Sequence, residues 1–470
     1  MSLSSGGSLW ERIAAAGLPP TRFISDQVDR VALRDLDGGT SIGMDCERLR
    51  GRSVLIYTQR QISTALALAE LDGIAGRIVL CPSELSLVQL DSIISEAKVD
   101  VVLSDCPVKF GNFLSVIINA ACGLKISADG ARPVRNVATE WLLFTSGTSG
   151  LPKMVVYTLN ALAGPVQDGQ GITNSAVWST FYDIRRYGGL QILLRAFIGG
   201  GSMVLSDAGE GTGNFLDRVT ANGVTHISGT PSHWRQAMIS PSIRKISPGY
   251  LRLSGEIADQ AILNNLRSVF PAAIITHAFA STEAGVVFDV SDGLAGFPAS
   301  LLLQPGNSAE NGPEIRVIDG SLHIRSFRTA TRYAGGTVKT LLDDEGFVDT
   351  GDIVEERNGR YYFAGRREGV INVGGLKVHP EEVEAVVNLH PSVQMSRVKG
   401  RPSPITGAIV VADIVMQPAY REDDVSIEKI TAEIRETCQK MLPPYKVPVT
   451  LRNVPSLEMT TAGKLSRRYA

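Results

Sequence analysis

Strand-length apolar runs and helix-length amphipathic runs alternate twice along this chain, and that rhythm limits the possible folds more than any other feature. Residues 53–57, 77–80 and 101–103 are short apolar runs, separated by segments of helical spacing at 61–71 and 86–97. The alternation returns at 202–205, 225–228 and 273–276, with helical segments at 214–221 and 258–269 between them. A strand buried on both faces reads as a continuous apolar run, and parallel neighbours need a crossover, usually a helix. The spacing therefore predicts an α/β protein built on parallel, helix-covered sheets. From about 313 to 365 the rhythm changes to short strands at 314–318, 322–325 and 361–363, which predicts a small antiparallel β subdomain. A third pattern follows: strand 370–373, helix 380–389, strands 393–399 and 408–416, helix 426–440. It predicts a small α+β domain of ordinary size. The expected division is a large N-terminal domain, 1–365, and a C-terminal domain, 366–470.

Bulk properties exclude several classes. A chain of 470 residues can bury more than one core, and 44% hydrophobic with 20% charged residues describes an ordinary globular protein. A net charge of -2 argues against nucleic-acid binding by bulk electrostatics. The five cysteines form no C-x-x-C pair, which suits a reducing compartment, and the six histidines are scattered rather than clustered as metal ligands. Residues 1–8 are low in complexity and are expected to be disordered, with no signal-peptide pattern. The apolar stretch 190–205 is interrupted by Arg195 and by Gly199, Gly200 and Gly201, and is too short to span a bilayer. The expectation is a cytoplasmic protein without an integral membrane segment.

The polar motifs carry the chemistry. Thr145-Ser146-Gly147-Thr148-Ser149-Gly150-Leu151-Pro152-Lys153 lies between the apolar runs 141–144 and 154–157. Glycines, hydroxyls, backbone N–H groups and one cation are the groups that wrap a polyphosphate. Pro152 before Lys153 and the β-branched run after it distinguish this loop from a Walker A loop; a plain surface hairpin is the alternative reading. Phe279-Ala280-Ser281-Thr282-Glu283-Ala284-Gly285 places a carboxylate just past a strand's C-terminal end, where open α/β sheets hold ligands. Glu283 there suits Mg²⁺ shared with phosphates, or else the first turn of a capped helix. In Val348-Asp349-Thr350-Gly351-Asp352, a carboxylate on a tight glycine turn can accept bonds from vicinal hydroxyls. Arg366, the glycine-rich stretch 365–375 and Lys464 in the polar segment 460–468 complete the set. Each has a plain turn or solvated-surface reading as well.

Taken in order, these motifs resemble the adenylate-forming enzymes, the group that includes acyl-CoA synthetases, adenylation domains and firefly-type luciferases, over roughly residues 50–470. The resemblance implies an ATP-dependent, AMP-forming acyl-CoA synthetase. A carboxylic acid would react with ATP and Mg²⁺ to give an acyl-adenylate, and the acyl group would pass to coenzyme A; the alternative acceptor is the phosphopantetheine of an acyl carrier protein. It implies that Thr145, Ser146, Gly147, Thr148, Ser149, Gly150 and Lys153 hold phosphates, with Thr282 beside them. It implies that Glu283 holds the metal ion, that Asp352 and Arg366 meet the ribose, and that Lys464 steadies the reacting oxygens. Gly375 would leave room for the pantetheine arm once a mobile C-terminal domain rotates about the hinge at Glu368. Leu253-Ser254-Gly255-Glu256 resembles the turn along the adenine and acyl pocket.

The sequence also departs from the family pattern. Phe279-Ala280 stands where Tyr-Gly is frequent, Asn372 where some relatives carry Lys, and Ser321 where a Glu is usual. The segment from Phe181 to Gly189 lacks the usual aromatic–His pair. Within it, Arg185 or Arg186 is a candidate for a second anionic group on the acid, against a surface arginine with a packed stem. A non-catalytic nucleotide-binding relative and an oxidative, luciferase-like activity are the remaining readings.

Overall fold

The computed structural model describes residues 7–107, 118–128, 133–145, 153–167, 175–207, 209–302, 312–335, 340–420, 424–460 and 463–467. Two eight-stranded sheets dominate the N-terminal part. The first runs in the order Arg332–Tyr333, Met154–Thr158, Glu140–Phe144, Arg77–Leu80, Ser53–Ile56, Val101–Ser104, Ile118–Ala128, Gly39–Ile42. The second runs Gly285–Val290, Ile274–Ser281, Tyr250–Ser254, His226–Gly229, Val177–Thr180, Ser202–Val204, Phe23–Ser25, Arg30–Ala32. Their central strands are parallel, as the alternation predicts, and antiparallel strands close their edges.

The helices Gln61–Leu71 and Tyr187–Ile198 lie between the sheets and share one core with strands of both. Every residue of the first is buried, and so is every residue of the second except Gly188. A helix buried on all sides has no polar face to place in water, so the few polar groups in this layer need internal partners. Glu70 accepts the Ser41 N–H at 2.8 Å and both hydroxyls of Thr40 and Ser41. Asp72, capping the same helix, accepts the Trp141 indole N–H at 2.8 Å and the Leu9 N–H at 2.7 Å. Burial pushes both carboxyls above their ordinary range despite these bonds. The outer faces of the sheets are covered by Leu87–Glu96 on one side, and by Thr212–Ala221, Pro231–Ile239 and Gln260–Val269 on the other.

A five-stranded antiparallel sheet follows, ordered Phe297–Pro298, Arg360–Arg366, Val348–Arg357, Ser321–Arg325, Glu314–Ile318. Its core of Phe297, Leu322, Ile324 and Val348 is continuous with Val287 and Phe288 of the second large sheet and with Ala284 in the turn before them. The C-terminal lobe holds the hairpin Ile371–Val373/Leu376–Val378 and a three-stranded sheet, Val393–Ser403, Gly407–Met416 and Thr450–Asn453. The helices Pro380–Val387 and Asp424–Met441 cover one face of that sheet. The other face packs Met395 and Val415 against Leu457, Met459 and Leu465 of the tail that carries Lys464.

Three local expectations change. Ser8 is not loose: it caps the helix Leu9–Ala15 in a reciprocal capping box with Glu11. The strand expected at 273–276 runs on to Ser281, because an antiparallel partner, Gly285–Val290, satisfies its backbone beyond the crossover region. The parallel strand Thr450–Asn453 carries no apolar run and was not visible in the pattern. Among the described residues, no helix is long and apolar enough to cross a membrane.

The turn before Tyr187–Ile198 is clamped by the close approach of the helix. A Cβ on Gly189 would stand 2.2 Å from the Asp183 carbonyl oxygen and 2.5 Å from its carbon. Backbone cannot yield as a flexible side chain can, so Gly189→Ala is expected to lower stability by about 1–3 kcal/mol. The urea midpoint of unfolding measures it; an unchanged midpoint would show that the turn adapts freely.

Candidate active site

The hairpin between Ile274–Ser281 and Gly285–Val290 sets the first functional side chain. Gly285 has φ +78°, and a Cβ there would meet the Arg328 carbonyl oxygen at 2.3 Å, so only glycine closes this turn. The Ser281 hydroxyl accepts the Ala284 N–H at 2.9 Å, and the Thr282 carbonyl accepts the Tyr157 hydroxyl at 2.9 Å. Glu283 therefore sits at the tip of a braced β-turn, not in a helix. Burial pushes its carboxyl above the ordinary range, while Arg366 and Lys464 pull it back.

Asp352 lies inside the strand Val348–Arg357 rather than in an isolated turn, with Gly351 at φ +70° just before it. Directly across the ladder stands Arg366. Its Nε is 3.2 Å from Asp352 Oδ1. Burial raises the Asp352 carboxyl, with Arg366 opposing. Burial works against the Arg366 guanidinium, but Asp352 and Glu283 outweigh it and hold it above its usual value. A cavity of about 220 Å³ opens here, lined by Lys153, Glu283, Tyr333, Asp349, Thr350 and Arg366 among others. Lys153 Nζ is 5.5 Å from the centre of the Tyr333 ring. The Thr145 N–H donates to the Lys153 carbonyl at 2.9 Å, which ties the two ends of the Gly/Ser/Thr loop together. Ser146, Gly147, Thr148, Ser149 and Gly150 lie outside the described residues.

Lys464 arrives from the other end of the chain. The Thr230 hydroxyl donates to the Gly463 carbonyl at 2.7 Å, and the Leu465 N–H donates to Glu256 Oε1 at 2.7 Å. The other Glu256 oxygen accepts the Ser232 N–H at 2.9 Å, at the start of the helix Pro231–Ile239. Gly463, at φ +68°, lies so close to the His233 ring that a Cβ would overlap it. Burial pushes the His233 imidazole down to about 4, so the ring is neutral where it meets the tail. Within the tail, the Thr460 N–H donates to the Lys464 carbonyl at 2.7 Å. Arg467 anchors the next turn to Glu384 at 2.7 Å. A second link between the lobes joins Asn388 to Asp259 at 3.0 Å, beside the Arg235–Asp259 pair at 2.6 Å. Burial, then Arg366, depress the Lys464 ammonium below its ordinary value, while Glu256 and Asp352 oppose them.

The structure thus lines one cavity with Lys153, Glu283 and Arg366; Asp352 pairs with Arg366 at its edge, Thr282 precedes Glu283 in the turn, and Lys464 lies within electrostatic reach of Glu283, Asp352 and Arg366. Gly375 is not among them: it lies in the exposed turn of the Ile371–Val373/Leu376–Val378 hairpin at φ +88°, with no atom within 4 Å of where its Cβ would stand. Neither reading of Arg185 holds. It is 1% exposed and forked onto Asp183 at 2.6–3.0 Å, with a further bond to the Thr58 carbonyl at 2.6 Å, so it braces the turn from inside. Arg186 pairs with Glu84 and lies near enough to Lys464 to lower its pKa. Phe279 stacks on Phe363 and Phe288, within the aromatic core of the β subdomain. Thr230, His233 and Tyr333 were not foreseen: Thr230 acts on a residue 233 positions away, a contact that no local pattern signals.

Cations, buried carboxylates and a closed-loop phosphate-type motif around one cavity suit a polyanionic ligand with a metal ion. Residues 50–321 match the AMP-binding enzyme family, and residues 382–464 match the AMP-binding enzyme C-terminal domain. The chain is 24% identical over 354 residues to human "Acyl-coenzyme A synthetase ACSM4, mitochondrial", covering 69% of this chain and 59% of that protein. It is 27% identical over 343 residues to the 2-succinylbenzoate--CoA ligase of Staphylococcus aureus (strain JH9), covering 69% and 65%. The matched stretches thus span less than two thirds of these relatives' lengths. Among solved structures, the anthranilate CoA ligase AuaEII in complex with anthranoyl-AMP superposes with a TM-score of 0.75 at 18% identity, over 97% of this chain and 94% of that one. ATP-bound MatB from Rhodopseudomonas palustris does so with a TM-score of 0.75 at 19% identity, over 97% and 96%. Likeness at this identity speaks for the shared fold, and the sequence match over more than half the chain speaks for descent: the protein belongs to the AMP-binding enzyme family.

Proposed function

We propose that this protein is an AMP-forming acid–thiol ligase, which activates a carboxylic acid with ATP and passes the acyl group to coenzyme A. The observation that carries the reading is the docking of the Lys464 segment, through Gly463 and Leu465, within electrostatic reach of Glu283, Asp352 and Arg366. Relatives named as CoA ligases support coenzyme A as the acceptor over a carrier protein.

In this reading the polyphosphate of ATP lies against the 145–153 loop and Lys153. Asp352 and Arg366 face the ribose, whose vicinal hydroxyls need an acceptor and a donor fixed a short distance apart. The acid's carboxylate attacks the α-phosphorus, and pyrophosphate leaves. Lys464, a compact ammonium on a flexible stem, neutralises charge on the oxygens that change bonding, in a site where burial strengthens the interaction. Orientation and charge neutralisation do most of the work in phosphoryl and nucleotidyl chemistry of this kind. The donor set fits Mg²⁺: no cluster of three or more metal-ligating side chains exists among the described residues, and the half-buried carboxylate of Glu283 suits an ion that takes its other ligands from phosphate and water. When bound, Mg²⁺ would offset phosphate charge. Thiol attack on the mixed anhydride needs an approach that Lys464 blocks. The links that hold the tail are few and polar, so the lobe can release and turn Gly375 inward.

Lys464→Ala is expected to slow acyl-adenylate formation about a hundredfold or more, yet to spare thioester formation from supplied acyl-adenylate. Gly375→Leu is expected to do the reverse. Pyrophosphate exchange and thioester release measure the two steps separately, and equal losses in both steps for either variant would remove the alternation of lobes. An acyl group found on a carrier protein instead of coenzyme A would replace the acceptor.

The pH dependence of the first step follows from the same groups. Glu283 and Asp352 must be ionised and have raised pKa values, so activity falls off on the acid side at higher pH than ordinary carboxylates would allow. Lys464 must be protonated and has a lowered pKa, so the alkaline fall begins earlier than for an ordinary lysine. Lys464→Arg is expected to push the alkaline limb outward. Pyrophosphate exchange across a pH series tests this, and an alkaline limb indifferent to Lys464→Arg would assign it elsewhere.

A further inference from the structure

The strand Arg360–Arg366 belongs to the β subdomain and the helix Pro380–Val387 to the C-terminal lobe, with the hinge candidate Glu368 between them. Where the two elements meet, Glu381 in the first turn of the helix lies against Gly365 in the strand. A Cβ on Gly365, whose φ is +149°, would stand 2.4 Å from Glu381 Oε2, 3.1 Å from its Cδ and 3.3 Å from the His379 Cβ. Only a residue without a side chain leaves room for the carboxylate there. A carboxylate in the first turn of a helix is ordinarily favoured by the dipole and solvated. This one faces peptide backbone instead.

Half of that carboxylate is poorly placed. Oε1 lies 3.3 Å from Arg467 Nε, but Oε2 is buried without a hydrogen-bond partner. Arg467 is itself forked onto Glu384 at 2.7 and 2.8 Å. Burial, more than any neighbour, holds the Glu381 carboxyl above its ordinary range; Arg467 opposes this, while Glu384 on the same helix and Asp352 on the neighbouring strand add repulsion. The other bonds named at this junction each match a donor to an acceptor: Thr230 to Gly463, Leu465 to Glu256, Asn388 to Asp259. The contact of Glu381 with Gly365 works against them. Arg467 and Glu384 share a lobe with Glu381 and travel with it, whereas Gly365 and Asp352 belong to the other side of the hinge. Turning the lobe therefore exposes Oε2 to water and withdraws Asp352, while the Arg467 pair is kept.

We infer that Glu381 is a positioning residue that weakens the docked arrangement of the lobes, so that the Lys464 tail releases after the first half-reaction. The inference rests on the ligase function proposed above and specifies how the same site is regulated. The matched polar bonds close the joint, and a carboxylate oxygen left without a donor inside it sets how readily the joint opens. Burying an acceptor without a donor is costly, and an equilibrium between two arrangements shifts by the difference in that cost between them.

Two readouts on the full chain test it. Cys106→Ser removes the one cysteine that is not buried, and dyes on Val134→Cys and Ile405→Cys, exposed positions on opposite lobes, then report the arrangement by energy transfer without a substrate. Glu381→Met and Glu381→Gln are expected to raise the ratio of docked to released molecules about tenfold. The second readout uses the acid that gives the fastest pyrophosphate exchange in a panel of straight-chain and aromatic acids. The same variants are expected to keep or raise exchange and to slow thioester formation from that acid's adenylate about tenfold. Anchoring of the tail through Arg467 predicts the opposite signs, a smaller docked population and slower exchange. That result, or an unchanged dye distribution, overturns the inference and leaves the ligase reading standing. If Glu381→Met does not fold, Glu381→Gln decides. Exchange with no acid in the panel overturns the ligase reading, and the dye pair still judges Glu381.

Discussion

The site depends on a peptide segment of the C-terminal lobe being held by hydrogen bonds from the N-terminal one. Glu256 joins the helix start at Ser232 to the Leu465 N–H, Thr230 holds the Gly463 carbonyl, and the neutral His233 ring fills the space that a side chain at 463 would need. Without these contacts Lys464 would be one more solvated lysine in a polar tail. With them it is half-buried, its charge set against Arg366 and balanced by Glu256 and Asp352. The contacts are polar and few, and the apolar core of each lobe is complete without the other. That combination suits a joint that forms and breaks.

The rest of the site is rigid for reasons set deeper in the fold. Helices buried on every side pin the two sheets together, and the carboxylates capping or lining them are bonded internally. The Glu283 turn is braced from one sheet by Tyr157 and closed by a glycine that no other residue can replace. The Asp352–Arg366 pair spans neighbouring strands, so its spacing follows from the ladder rather than from side-chain choice. The tail is held by a few polar bonds, and the pocket that receives it by the sheets themselves.

Much of this was legible in the chain. The alternating runs reflect strands that must be apolar on both faces, so the parallel cores of both large sheets could be read directly. The antiparallel edges could not, because a strand such as Thr450–Asn453 or the extension of Ile274–Ser281 is decided by a neighbour's free backbone groups. Lys153, Glu283, Asp352, Arg366 and Lys464 could be singled out as candidates because each stands in a short motif of polar and glycine residues, and the structure sets them near one another. Thr230 and His233 could not be, since their part is to touch a segment far away in sequence. Arg185 was misread for a related reason: only the fold shows that Asp183 turns back on it inside the protein.

By itself the sequence determined the periodicities, and with them the α/β class, the change to a β subdomain and the small C-terminal unit, because burial on one face or two leaves its mark residue by residue. It also determined which reactive groups exist. Only the tertiary structure decided which of them meet: that Lys464 comes within electrostatic reach of Glu283 while Gly375 stays outside, and that Arg185 is forked onto Asp183 inside the protein. Those outcomes depend on how segments far apart in the chain pack together, and no local pattern of side chains encodes such packing.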